Sequence, residues 1–292
     1  LYYDVFQYPL TKIELFENTS VKVDQVSFFN ELEELLLKNY LKKSKNFYLN
    51  ITSLDDIVER RLKGNEMARS MLPKAYATSL KIAKFPFMKG ICISGGLSKN
   101  YYDDKSDIDF FVITKENRLW ICRTLFVLYY KTLSEEKRKH LCLNYFISEA
   151  DLCIEDENSF VATELAYLKP IINYSMYETL LEKNRWYKKF FINKEVFSDS
   201  NCKLTPEPWY KKMIECVFFG KPGNWLDDKL MNITLKHWRK KYPDMSEEDF
   251  HLQFRSRKHV CKRHAQGYQN KVLTLWEEKI KNFETDFQFT LN

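Results

Sequence analysis

Glycine is scarce, with 7 residues in a chain of 292. Few positions can take a left-handed backbone without cost, so an architecture of many two-residue hairpins is excluded. A Gly-poor chain rich in Lys and Glu favours helices. Cysteine is present but unpatterned. The seven thiols, Cys92, Cys122, Cys142, Cys153, Cys202, Cys216 and Cys261, are odd in number and widely spaced, and no C-x-x-C occurs. That excludes a disulfide scaffold and a zinc framework, and most of them read as small core residues. Cys261 with His259 and His264 gives too few soft ligands to close a metal site, and packing is the expected role. Long apolar runs are also missing. The longest, Leu125 to Tyr130, is far too short to span a bilayer. There is no signal-peptide pattern, internal repeat or low-complexity segment. The expectation is a soluble protein of the reducing cytoplasm without a membrane partner.

Apolar residues make up 45% of the chain and aromatic residues 16%, enough for a sizeable core in about two domains. The formal charge is +6. Residues 229–263 hold 10 Lys/Arg against 4 Asp/Glu, so this stretch alone carries the whole excess. Two readings stand: a patch for a polyanion such as nucleic acid or for a triphosphate, or a solvated basic helix face.

Four regions follow along the chain. In 1–50, Thr11 and Glu14 have capping-box spacing and predict a helix from Lys12. Val26, Phe29, Leu32, Leu36 and Tyr40 predict a helix over 23–39. Leu41–Ser44 and Phe47–Asn50 predict a hairpin around Lys45-Asn46. The order resembles a winged helix-turn-helix, but Glu31, Glu33 and Glu34 on its recognition helix oppose a DNA role. Residues 51–84 predict a connecting helix capped by Ser53, bent or split at Gly64 and Pro73, and ended at Pro86. Within 85–158, strands over 88–94, 108–114 and 141–147 alternate with a helix over 118–134, an α+β or α/β pattern. Residues 159–292 read as mostly helical, with helices over 160–168, 174–186, 209–219, 225–242 and 246–282. The turns between them fall at Lys169-Pro170, Gly220–Gly223 and Tyr242-Pro243. Of Trp186, Trp209, Trp225, Trp238 and Trp276, most are expected in packing and one is open to stacking on a base, and Glu164 and Glu178 are expected as helix caps or ion-pair partners.

The chemistry concentrates in residues 91–113. An apolar strand runs into Ser94-Gly95-Gly96, where a bare backbone can approach a ligand and offer its N–H groups. After ten intervening residues, Leu97 to Ser106, comes Asp107-Ile108-Asp109, leading into Phe-Phe-Val-Ile. Alternation along a strand puts both carboxylates on one face, where hard oxygens select Mg²⁺ or Mn²⁺. The combination resembles the signature of the polymerase-β-like nucleotidyltransferases, over about twenty residues for the motif and roughly 85–150 for the element order. The resemblance implies a mixed sheet flanked by helices, and an enzyme moving an NMP group from an NTP to an acceptor hydroxyl. It implies Asp107 and Asp109 as catalytic metal ligands, and Ser94, Gly95, Gly96 and Lys99 around the triphosphate, with Arg123 as a further cation. The family adds a third carboxylate on a later strand, and Asn144 stands there. Three readings follow: Asn144 completes the site by hydrogen bonding, Glu149 or Asp151 substitutes, or the domain binds nucleotide as a weak or inactive regulatory module.

Overall fold

The computed structural model describes residues 1–49, 54–139, 141–198, 202, 207–262 and 267–287, and of residues 54, 55, 139, 144 and 252 the backbone only. Asn50, the expected cap Ser53, Arg263 and His264 lie outside the described residues.

The chain opens with a 3-10 helix, Tyr3–Phe6, then β1 (Leu10–Thr11), α1 (Lys12–Glu17), α2 (Gln25–Leu37), β2 (Lys42–Ser44) and β3 (Phe47–Leu49). The predicted capping box forms: the Thr11 hydroxyl accepts from Glu14 N–H, and the Glu14 carboxylate accepts from Thr11 N–H. The predicted hairpin forms β2 and β3, and β1 pairs with β3 to give the order β1-β3-β2. The expected α2 stripe holds in part. Leu32 is buried, but Val26 is 70% exposed.

α3 (Leu54–Ile82) runs unbroken through Pro73. Ala68, Ala75 and Ile82 bury one side of it against the main sheet, and this packing outweighs the N–H lost at Pro73. Its buried Arg61 joins it to the N-terminal unit. The guanidinium lies 2.6 Å from the Glu14 carboxylate and 3.6 Å above the Tyr8 ring.

The remainder follows as β4 (Met88–Ile93), α4 (Gly95–Ser98), β5 (Asp109–Thr114), α5 (Leu119–Thr132), α6 (Glu135–Lys139), β6 (Cys142–Ser148), α7 (Ser159–Tyr167), β7 (Lys169–Ile172) and α8 (Tyr174–Lys183). After a 3-10 turn at Arg185–Lys189 come α9 (Trp209–Val217), α10 (Gly220–Lys241), α11 (Glu247–Gln253), β8 (Ser256–Arg257), β9 (Val260–Lys262) and α12 (Tyr268–Phe287). Six strands form one sheet in the order β7-β4-β5-β6-β9-β8. β5 and β6 are parallel, joined through α5 and α6, and the other neighbours are antiparallel. The chain is α+β with a mixed sheet flanked by helices.

Helices cover both faces of this sheet, and strand alternation divides the core. Ile91, Ile93, Phe110, Val112 and Phe146 face a cluster with Trp120, Phe126 and Trp238. Cys92, Phe111, Ile113 and Ile147 face the opposite cluster, built on α7 and α8. Asp109 precedes Phe111 by two residues, so it lies on the α7 side.

The C-terminal region corrects the expectation of helices alone. The expected turn at Lys169-Pro170 belongs to β7, and the segment read as one helix over 246–282 contains α11, the β8–β9 hairpin and α12. Gly220–Gly223, expected as a turn, forms the start of α10. An added Cβ on Gly223 would stand 1.9 Å from Phe218 O and 2.7 Å from the Arg118 guanidinium, so that helix start admits no side chain there.

Candidate metal and anion site

The turn after β4 brings the two halves of the motif together. Ser94 N–H donates to Asp109 O at 2.9 Å, so the first residues of the turn are zipped to the start of β5. Gly95 then turns with φ +65. A Cβ there would lie 2.1 Å from Asp109 Oδ2, so glycine is required both by backbone angle and by the carboxylate beside it. At Gly96 the same test gives 3.2 Å to Tyr101 O. The loop from Asp103 to Ser106 is tied by its own side chains. Ser106 Oγ donates to Asp103 Oδ1 at 2.7 Å, and Lys105 N–H donates to the same oxygen. The Ser106 hydrogen bond is the main reason the Asp103 carboxyl titrates below its usual range. This knot delivers Asp107 next to Asp109.

Asp107, Asp109 and Cys142 are half-buried, and one ligand atom from each lies within 4.8 Å of the others. Beneath them Tyr102 is buried. Its phenol titrates above the usual value through burial first, then through the carboxylates of Asp107, Asp103 and Asp109.

A cavity of about 590 Å³ opens beside Asp109. Gly95, Gly96, Lys99, Asp109 and Glu164 form one end of it, and Tyr2, Tyr3, Phe6, Tyr8 and Tyr268 line much of the rest. The N-terminal 3-10 helix, α7 and α12 thus supply walls to a site whose motif sits in the middle of the chain. Arg60 from α3 holds the N-terminal segment over the opening by donating to Phe6 O and Gln7 O.

Glu164, expected as a cap or ion-pair partner, has a more specific position. Its Oε2 accepts from Gly95 N–H at 3.2 Å, and its Oε1 lies 2.7 Å from Lys99 Nζ. Lys99 also donates to Gly95 O. A carboxylate thus sits on the N–H and the ammonium expected to meet phosphate. Contact across 69 residues leaves no local trace in sequence.

Other expected residues fall elsewhere. Arg123 lies 4.9 Å from the Trp238 ring, within the cluster on the other sheet face. Glu149 and Asp151 lie too far from Asp107 and Asp109 to join them. They follow the far end of β6, where Glu149 N–H donates to Thr114 O and Asp151 pairs with His259 at 3.3 Å. Thr114 is five strand steps from Asp109, about 17 Å. Asn144 falls at a register shift: Phe110 pairs with Leu143 and Phe111 with Tyr145, while Cys142 stands directly opposite Asp109. Cys261 is buried in β9 as a core residue.

The chain matches no family model, no curated protein and no solved structure.

Proposed function

We propose that this chain binds a nucleoside triphosphate with a divalent cation at Asp107 and Asp109, and transfers its nucleotidyl group to an acceptor hydroxyl. One observation carries the reading: Asp109 of the Asp-x-Asp pair and the Gly-Gly turn, separated in sequence by the loop 97–106, line one cavity together, with Asp109 Oδ2 against the bare face of Gly95. Two half-buried carboxylates fit Mg²⁺ or Mn²⁺ as an oxygen-ligand pair. Such an ion, when bound, supplies positive charge to phosphate oxygens. The residues of the chain do the rest. Asp107 and Asp109 are held in place by the Asp103–Ser106 knot and the Ser94–Asp109 hydrogen bond. Gly95, without a Cβ, lets the Asp109 carboxylate lie against the turn, and Lys99 provides a cation in the same cavity. The aromatic walls have the size and flatness to hold a base or an acceptor away from water.

A second reading, a nucleotide-binding module with little turnover, is favoured by Glu164. Its carboxylate occupies the Lys99–Gly95 seat and must leave before a phosphate enters. We read the N-terminal unit as winged-helix-like, on its order of strand, two helices and hairpin. With Glu31, Glu33 and Glu34 exposed on α2, a protein partner suits it better than DNA.

The test is Mg²⁺- or Mn²⁺-dependent binding of ATP, GTP, CTP and UTP, together with pyrophosphate release. Asp107→Asn with Asp109→Asn is expected to weaken metal-dependent nucleotide binding by at least about 100-fold. Absence of nucleotide binding by the wild type with metal present overturns both readings. Binding without pyrophosphate release, across all acceptors tried, selects the second.

A further inference from the structure

The third member of the metal-side cluster is a thiol. β5 and β6 run parallel with Asp109 opposite Cys142, and paired residues on adjacent strands present their side chains to the same face. Both backbones are fixed at that point. Cys142 N–H donates to Ile108 O at 3.0 Å, and Ser94 N–H donates to Asp109 O at 2.9 Å. Among the described residues, Cys142 is the cysteine gathered with two carboxylates. Cys92, Cys122 and Cys261 are buried in the core.

This donor set does not match Mg²⁺ alone. Mg²⁺ takes oxygen ligands in a near-ideal octahedron and has little affinity for sulfur. Zn²⁺ and Co²⁺ accept carboxylate oxygen at about 2.0–2.2 Å and thiolate sulfur at about 2.3 Å, which in a tetrahedral site places neighbouring donors about 3.3–3.7 Å apart. The ligand atoms lie within 4.8 Å of one another, so a pair at that limit must close by about 1–1.5 Å to reach tetrahedral spacing, a distance that rotation about the Asp and Cys side-chain torsions spans. Three protein donors would leave a fourth position for a water or a ligand oxygen.

We propose that Asp107, Asp109 and Cys142 form a mixed carboxylate–thiolate site that selects a thiophilic divalent cation, Zn²⁺ in class, over Mg²⁺. The inference shares its two carboxylates with the proposed nucleotide site and extends that reading to the identity of the ion. On binding, the Cys142 S–H bond breaks, the proton passes to solvent, and the thiolate electron pair forms the sulfur–metal bond. No oxidant or reductant is involved.

The experiment uses the full metal-free chain. Co²⁺ is titrated in and thiolate-to-cobalt charge-transfer absorption is recorded. Zn²⁺ and Mg²⁺ affinities are measured by calorimetry in buffers of different ionisation enthalpy, which counts released protons. The wild type is expected to show the charge-transfer band, to release one proton per Zn²⁺, and to bind Zn²⁺ at least about 100-fold more tightly than Mg²⁺. Cys142→Ser is expected to lose the band and to bind Zn²⁺ at least about 10-fold more weakly, with Mg²⁺ affinity unchanged. Cys142→Asp offers oxygen in place of sulfur and is expected to shift the preference toward Mg²⁺. Alkylation of the wild type, mapped by mass spectrometry, is expected to spare Cys142 when Zn²⁺ is bound, a readout that needs no folded variant. A wild type without the band, or Cys142 alkylated equally with and without Zn²⁺, overturns the proposal. Mg²⁺-dependent nucleotide binding is measured in parallel. If it persists while the band is absent, only the thiophilic site fails. If the band is present and no nucleotide binds, only the nucleotidyltransferase reading fails.

Discussion

Glu164 and the bare backbone of Gly95 show how single residues shape this end of the cavity. Glu164 pairs with Lys99 and accepts from Gly95 N–H, so the phosphate of the proposed reading would compete with a carboxylate already seated. Glu164→Gln keeps the shape and one acceptor but removes the charge. It is expected to raise affinity for inorganic pyrophosphate several-fold, by about 3- to 30-fold, measured by calorimetry without added nucleotide. Unchanged or weaker binding would place the anion elsewhere. That Gly95, Asp107 and Asp109 lie close together was legible in the sequence because their relation is local: a strand, a two-glycine turn and a D-x-D pair at fixed spacing. Glu164 was legible only as a helical acid, since its partners lie far along the chain. Asn144 and Cys142 show a subtler limit. Both lie in the expected strand. The choice between them as the neighbour of Asp109 rests on the extra residue that β6 inserts between its pairings with Phe110 and Phe111. Side-chain period does not reveal such an irregularity.

At the scale of elements, helix α5 has no cap of its own. Arg118 precedes it and makes no side-chain capping bond. Asp227, from the middle of α10, supplies the acceptor instead, with Oδ1 2.9 Å from Ile121 N. That ties the two helices together, but Asp227 is fully buried and its Oδ2 lacks a protein hydrogen-bond partner. Burial, outweighing the helix N–H groups and Arg118, pushes its carboxyl up to about 6. In the unfolded chain the group ionises near 3.8. Between those values the folded state holds a proton that the unfolded state has lost. Stability from this group therefore falls as pH rises through the window, and the loss is complete above it. Asp227→Asn keeps the oxygen for Ile121 and cannot ionise. It is expected to stabilise the chain at pH 7 by roughly 1–3 kcal/mol. The gain should vanish near pH 4, as read from urea unfolding at the two pH values.

Long periodic helices were foreseen, and so were the three central strands. β7, β8 and β9 were not. Two- and three-residue strands are too short to show a period of two, and Pro170 signalled a turn. Trp209 and Trp225, expected in packing, are 74% and 63% exposed, because α9 and α10 turn other residues inward.

The whole molecule redistributes the charge that the sequence concentrates. Within the basic stretch, Arg239 pairs with Glu247 and Lys258 with Asp228. Arg255 and Lys262 pair with Asp156, and Arg257 with Glu155. Several of these acids lie outside the stretch, so the linear excess is partly cancelled once the sheet brings residues 155 and 156 alongside β8 and β9. Among the described residues of the stretch, Lys229, Lys236, Lys240 and Lys241 form no ion pair. Retention on duplex DNA or RNA is therefore expected to be weak, with a log–log salt slope no steeper than about −4. A steeper slope would require the paired cations to open and would restore a nucleic-acid partner for this face. Among the described residues, no helix is long and apolar enough to cross a membrane.

The two ends of the six-stranded sheet carry one further consequence. One edge is β7, four residues long, with Pro170 in its ladder. The other is β8, two residues long. A foreign strand seeking backbone partners would meet a residue without an N–H at one rim and almost no rim at the other. The sheet is thus a poor template for fibril growth or strand exchange, and any assembly of this chain through its sheet domain must be made by side-chain surfaces, not by extending the β-ladder.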